Sequence, residues 1–269
     1  MATTSRAGHP LPYDTYLAAI ERESQRLAEV VRGADPADAV PSCPDWTLAD
    51  LSRHVGAVQR WFGALVSRRV QEPPRSREVE LGLPEQPRDY ADWVAAGASE
   101  VSAALRETDP HTAMWAWGED QHARFWVRRM LCETLVHRVD AERAVGREWD
   151  VDPALAADAV DEFLVNLPYA GVFAPGVTKL RGTGETIAFR CATADGTAGE
   201  EWRVRLDPEG FRLLPADGDA ETGPPDAVVR GRAADLLLLL YGRRSYRESA
   251  FAVSGDAALL DRWFAHTAF

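Results

Sequence analysis

The sequence has little cysteine, and its thiols stand far apart. Cys43, Cys132 and Cys191 are the three cysteines among 269 residues, and they form no Cys-x-x-Cys pair. An odd number of widely spaced cysteines excludes a disulfide framework and a zinc site built from paired thiolates. We therefore expect reduced thiols, with structural roles for Cys43 and Cys132.

Basic residues are outnumbered by acidic ones, apolar runs are short, and the first ten residues do not resemble a secretory signal. The 30 Lys and Arg residues stand against 42 Asp and Glu, a formal net charge of −12, whereas nucleic-acid binding depends on clustered positive charge. The longest strongly apolar run, Leu236–Leu240, is far shorter than the roughly 20 residues of a membrane-spanning helix. Met1–Pro10 lacks the basic start and apolar stretch of a secretory signal. We expect a cytoplasmic protein with neither a nucleic-acid nor a membrane partner.

The overall composition is that of a globular protein, and the first half of the chain has helical character. Hydrophobic residues make up 46% of the sequence, which suffices for two domains with separate cores. In residues 1–150, helical periodicity interrupted by proline-rich segments predicts a four-helix bundle. The predicted helices are Tyr13–Val31, Leu48–Arg69 with Thr47 as N-cap, Asp89–Glu107 and Arg124–Val145.

Residues 151–269 differ in composition, because short strand-like segments alternate with turns that contain Gly and Asp. This pattern predicts a smaller α+β domain after the helical bundle, so the fold class of the whole chain is α+β. The predicted helices are Pro153–Leu167, Ala233–Tyr241 and Ala257–His266, and the predicted strands are Thr186–Thr193, Trp202–Leu206, Phe211–Leu214, Ala227–Arg230 and Phe251–Ser254.

Three side chains on two of the predicted bundle helices could bind a metal. His54 falls within the apolar stripe of its helix, and Glu133 and His137 share the inward face of theirs because they are four residues apart. A buried carboxylate is costly unless it is paired or binds a cation. Two imidazoles and one carboxylate would form a three-ligand site with open positions, suited to zinc, iron, nickel or cobalt.

A simpler interpretation of the same residues stays open at this point. Glu133 and His137 could form a hydrogen bond along one helix, and His54 could be an ordinary core histidine. Asp140, one turn beyond His137, could orient that imidazole from behind. Equally, Asp140 could be a solvated helix-end acid paired with Arg143.

Two segments resemble a known family. VPSCPDWTLADLSRHVGAVQRW (Val40–Trp61) and VRRMLCETLVHRVDAERAVG (Val127–Gly146) resemble the signature stretches of the mycothiol-dependent maleylpyruvate isomerase family, whose N-terminal domain is a DinB-like metal-binding four-helix bundle. The resemblance implies that His54, Glu133 and His137 hold one divalent metal, with zinc favoured over iron, nickel or cobalt.

The resemblance extends into the second half, where DLLLLLYGRRS and VSGDAALLDRW are similar to the family's C-terminal domain. It implies that Arg243 takes part in activity, with Arg244 as the adjacent alternative, and we expect either residue to bind a substrate carboxylate. An arginine fork suits a carboxylate. Arg243 could also be a surface charge that follows a helix.

The function that the resemblance implies is metal-assisted thiol chemistry on a small electrophilic substrate. Mycothiol would be the thiol cofactor or cosubstrate, and the reaction would be cis–trans isomerisation of a maleylpyruvate-like compound or thiol S-transfer. A mycothiol S-transferase of secondary metabolism or detoxification, a metal-dependent hydrolase and a non-catalytic binding or regulatory protein are the alternatives. The sequence does not predict an oligomeric state.

Overall fold

The computed structural model describes residues 9–73, 79–192, 198–216 and 223–267. The chain divides into two compact units. One is formed by Leu11–Asp150, and the other by the described residues of Met1–Pro10 and Val151–Phe269. Among the described residues, no helix has both the length and the apolar character that a bilayer span requires.

Within its described residues, the first unit consists mainly of four long helices, as predicted for the bundle. The best-defined start is that of the helix Leu48–Arg68, where Thr47 Oγ1 accepts a hydrogen bond from Asp50 N and Asp50 Oδ2 accepts one from Thr47 N. This reciprocal pair satisfies two backbone donors at the helix end. The helices are α1 (Tyr13–Arg32), α2 (Leu48–Arg68), α3 (Tyr90–Glu107) and α4 (Ala123–Ala144).

A buried ion-pair network ties α4 to α1 beside the apolar core of the helical unit. Arg138 on α4 is fully buried, and its Nε donates to Glu23 Oε2 at 3.0 Å. Its Nη1 donates to Glu142 Oε2 at 2.6 Å. Because a buried charge is costly without partners, these contacts fix the register of α4 against α1. The core side chains include Leu27, Val31, Leu48, Leu51, Val55, Trp93 and Val94.

The second unit contains a mixed sheet of five strands in its described residues, in the order β3-β2-β1-β4-β5. The pairing of β1 with β4 is parallel, and the other neighbours are antiparallel. Trp202 and Trp263 are fully buried in this unit. Its elements are α5 (Pro153–Asn166), β1 (Thr186–Ala192), β2 (Ala198–Asp207), β3 (Gly210–Leu213), β4 (Ala227–Gly231), α6 (Ala233–Leu240), β5 (Ala252–Gly255) and α7 (Ala257–His266).

The observed elements confirm the predicted α+β class. Most helix bounds agree with the sequence prediction to within a residue or two. The largest difference is β2, which extends further toward the N-terminus than the predicted Trp202–Leu206. The predicted end of β1, at Thr193, lies outside the described residues.

Candidate metal centre

The candidate site is carried by α2, by α4 and by the loop that leads into α2. His54 lies on α2, about two helical turns after the capped N-terminus, while Glu133 and His137 lie one turn apart on α4. The loop folds back on itself because Val40 N donates to Trp46 O at 2.9 Å. This turn brings the Trp46 ring to the two imidazoles.

The structure brings His54, Glu133 and His137 together. Glu133 Oε2 lies 3.4 Å from His137 Nε2 and 3.9 Å from His54 Nε2. One donor atom from each residue lies within 4.8 Å of the other two. Two imidazole nitrogens and one carboxylate oxygen at such separations are a donor set that fits a single divalent transition metal.

The side chains of the cluster are only partly buried, although helical periodicity predicts inward-facing positions for them. His137 is 10% exposed, Glu133 is 24% exposed and His54 is 36% exposed. Glu133 also has a cationic partner, because Arg129 Nη2 donates to its Oε1 at 2.6 Å. Glu133 is thus only partly buried, and Arg129 is a partner of the kind that a buried carboxylate needs, so its burial alone does not require a metal. The case for a metal depends on the converging donor atoms.

The electrostatic environment keeps Glu133 ionised. Partial burial acts to raise the pKa of the Glu133 carboxyl, but the positive charge of Arg129 and favourable interactions with the neighbouring imidazoles of His137 and His54 bring that pKa well below its usual range. In the metal-free protein, burial acts to lower the pKa of His137. Hydrogen bonds with Asp140, Cys43 and Glu133 outweigh it and raise that pKa well above its usual range.

Asp140 lies directly behind His137. It is fully buried, and its Oδ2 lies 3.0 Å from His137 Nδ1. Ser42 Oγ donates to Asp140 Oδ1 at 2.6 Å, and Cys43 Sγ donates to Oδ2 at 3.5 Å. Asp140 is thus not a solvated helix-end acid. A carboxylate at Nδ1 favours the tautomer that leaves His137 Nε2 available as a ligand.

Cys43, His137 and Asp140 form a second group whose donor atoms also lie within 4.8 Å of one another. All three residues are buried. The hydrogen bonds of Ser42 and Cys43 to Asp140 already use both of its oxygens. This group is therefore better described as a hydrogen-bonded support for His137 than as a second ion site.

An aromatic wall covers one side of the histidines. The Trp46 ring centroid lies 5.1 Å from that of His54 and 6.3 Å from that of His137, and it stacks on His137 at an interplanar angle of 25°. The two imidazoles meet edge to face at 4.8 Å. An indole in this position limits the rotation of both rings and excludes water from one side of them.

Arg129, Trp46 and Ser42 also belong to the site, although the sequence patterns did not predict this. Arg129 had a usable signal, because a cation four residues before Glu133 lies on the same face of α4. Trp46 and Ser42 had no helical spacing to reveal them, since a folded loop places them.

Arg243 and Arg244 belong to the second unit and follow α6. Arg243 is half-buried, and its Nη1 donates to Tyr241 O at 2.7 Å. Arg244 Nη2 donates to Glu248 Oε2 at 2.6 Å, and Arg244 Nη1 also donates to Asp235. These ion pairs favour a structural role for Arg244.

The chain matches two domain models of one protein family. Residues 17–142 match the profile of the mycothiol maleylpyruvate isomerase N-terminal domain, and residues 154–262 match that of the C-terminal domain of the same family. No curated protein matches the chain.

Two solved structures share the fold. Both are crystal structures of the mycothiol-dependent maleylpyruvate isomerase, and one of them is a histidine-to-alanine variant. Each is 17% identical to this chain, and each alignment covers 96% of this chain and 98% of the other, with TM-scores of 0.60 for the variant and 0.58 for the other structure. At this identity the likeness concerns the fold alone. From the two domain matches, the chain belongs to the mycothiol-dependent maleylpyruvate isomerase family.

Proposed function

We propose that this chain is a metal-dependent enzyme that uses mycothiol to isomerise a small unsaturated acid of the maleylpyruvate type. The observation that carries the proposal is the convergence of His54, Glu133 and His137, each with one donor atom within 4.8 Å of the other two, and with Glu133 Oε2 at 3.4 Å from His137 Nε2 and 3.9 Å from His54 Nε2. Membership of the isomerase family supports the thiol and the substrate class.

The three side chains would hold the metal and leave positions open for other ligands. A divalent metal bound there would lower the pKa of a coordinated thiol, which supplies the thiolate that isomerisation of a carbonyl-conjugated double bond requires. Zinc is the proposed ion, and iron, nickel or cobalt would suit the same donors.

The remaining roles belong to residues that surround these ligands. Asp140 keeps the proton of His137 on Nδ1 through the 3.0 Å contact, so that Nε2 stays a ligand. Trp46 shields one side of the two imidazoles from water. The partial exposure of His54 leaves a route for small molecules to the donor atoms.

The metal part of the proposal is tested by elemental analysis. We expect about one transition-metal ion per chain in the purified protein, since one ligand set is proposed. His137→Ala should lose this ion, whereas His111→Ala should keep it because His111 is exposed and bonds to Arg124 instead. Full metal content in folded His137→Ala would refute the site.

The chemical part is tested by incubating the metal-loaded protein with maleylpyruvate, with and without mycothiol. Formation of the trans isomer only with mycothiol supports the proposal. A stable sulfur conjugate would instead indicate an S-transferase, and hydrolysis without thiol would indicate a metal-dependent hydrolase. Metal binding without turnover of any such substrate would favour a binding protein.

We also propose that Arg243, which the family resemblance implicates in activity, binds a carboxylate of the substrate. Arg243→Ala should then lower kcat/KM for the acid while metal content stays unchanged, because a carboxylate loses its charged hydrogen-bond donors. Arg244→Ala is the matched variant, whose main effect should be on stability through Asp235 and Glu248. Unchanged kinetics for Arg243→Ala would remove it from the proposal.

A further inference from the structure

The two carboxylate oxygens of Glu133 have different partners. Oε1 accepts two hydrogen bonds from Arg129, at 2.6 Å from Nη2 and 3.2 Å from Nε. Oε2 faces the imidazoles, at 3.4 Å from His137 Nε2 and 3.9 Å from His54 Nε2. One oxygen is thus held by an arginine, and the other is turned to the proposed ligand set.

The geometry of Arg129 gives it little freedom to release Oε1. Its side chain is 5% exposed, and it begins one helical turn before Glu133 on the same face of α4. Its guanidinium carbon lies 5.9 Å from the ring centroid of Trp117, which is within the range of a cation–π contact. A desolvated arginine with two bonds to one oxygen holds that carboxylate in a single orientation.

We propose that Arg129 is a positioning residue that reserves Oε1 and so limits Glu133 to one ligand oxygen, Oε2. This inference rests on the proposed metal site. A carboxylate can ligate a metal through one oxygen or through both. If Glu133 used both, it would occupy a position that a thiol or substrate needs, because catalytic sites depend on open positions.

A merely structural ion pair between Arg129 and Glu133 would predict something different. Such i, i+4 pairs stabilise a helix, and their loss lowers stability without changing how a neighbouring metal is ligated. The number of ligand atoms around the metal therefore separates the two roles, and it can be read without any activity assay.

The test compares cobalt-loaded wild type with Arg129→Met and Arg129→Lys, and with Arg53→Met as the control. Arg53 is an exposed arginine on α2 beside His54, so its replacement removes the same charge without touching Glu133. Visible absorption of bound Co²⁺ weakens as its coordination number rises. X-ray absorption of the zinc-loaded proteins counts the oxygen ligands independently.

We expect weaker Co²⁺ absorption and an added oxygen ligand in Arg129→Met, because Oε1 is then free to reach the metal. Arg129→Lys should fall between wild type and Arg129→Met, since one ammonium nitrogen replaces the two-donor fork. Arg53→Met should match wild type.

Identical spectra and ligand counts for wild type and Arg129→Met would overturn the inference and leave the metal site standing. If Arg129→Met does not fold, the comparison rests on Arg129→Lys, and an unchanged ligand environment in that variant would overturn the inference equally. If wild type itself binds neither Co²⁺ nor Zn²⁺, the proposed function fails first.

Discussion

Replacing His9 by glutamine should remove most of the pH dependence of stability of the second unit between pH 6.5 and 9. His9 is 5% exposed, with Nδ1 at 3.0 Å from Asp158 Oδ1 and Nε2 at 2.6 Å from Glu200 Oε2. Asp158 is buried on α5, and Glu200 lies on β2. The imidazolium therefore links a helix and a strand of one unit.

The size of the effect follows from the pKa of His9. Burial alone lowers this pKa, but hydrogen bonds to Asp158 and Glu200 and the charge of Asp161 raise it from 6.5 to about 9. A folded state that binds the proton more tightly is stabilised in full below pH 6.5 and loses that stability as the pH rises through about 9. The interactions of protonated His9 contribute about 3 kcal/mol to the free energy of unfolding below pH 6.5 and about 2 kcal/mol at pH 7.5.

Hydrogen exchange measured by mass spectrometry suits this test, because peptides from α5 and β2 report the second unit separately. Protection of wild type, corrected for the intrinsic pH dependence of exchange, should fall between pH 6.5 and 9.5. Protection of His9→Gln should be lower at pH 6.5 and nearly flat. His266→Gln, which changes a histidine in the last turn of α7, should keep the wild-type profile. Parallel profiles for wild type and His9→Gln would refute the reasoning.

Three further predictions concern the first unit. Thr47→Ala should lower the free energy of unfolding by about 1 kcal/mol in urea denaturation, because it removes the cap of α2; an unchanged midpoint would contradict this. Gly56→Ala should lower the free energy of unfolding by about 1–3 kcal/mol, since a Cβ would lie 2.1 Å from the Trp93 ring. Gly63→Ala, whose nearest contact would be 3.6 Å, should be tolerated far better in the same assay. Asp140→Asn should weaken zinc binding about 10–100-fold in a chelator competition, because it disturbs the partner of the ligand imidazole; wild-type affinity would exclude this role.

The helices could be predicted from sequence because their signals are local. The reciprocal hydrogen bonds of Thr47 and Asp50 define the start of α2, and Gly146, with a φ of 67°, follows the end of α4 as a left-handed residue. The N-terminal part of β2 lacked such a signal. Glu201 is charged, and it is held in the strand by its pairing with Arg190 of β1. Strand bounds of this kind depend on a partner that local periodicity does not reveal.

Some features of the site could likewise be predicted from local sequence, and others could not. The positions of Glu133 and His137 on one face of α4 follow from helical spacing, whereas the approach of His54 from α2 required the family resemblance. Local sequence does not reveal the ion pairs of His9, because its partners Asp158 and Glu200 stand 149 and 191 residues away in the sequence. The position of Trp46 beside the imidazoles also could not be predicted, because it depends on the fold of a loop.

The partial exposure of the cluster favours catalysis over a purely structural metal. A structural site is closed by its protein ligands, whereas a catalytic site keeps a position that small molecules can reach. Exposure rises from 10% at His137 to 24% at Glu133 and 36% at His54. His137 is anchored from behind by Asp140, and Glu133 is held by Arg129. The more anchored ligands are thus the more buried, and the side of His54 is where a thiol or substrate could approach a metal held by all three.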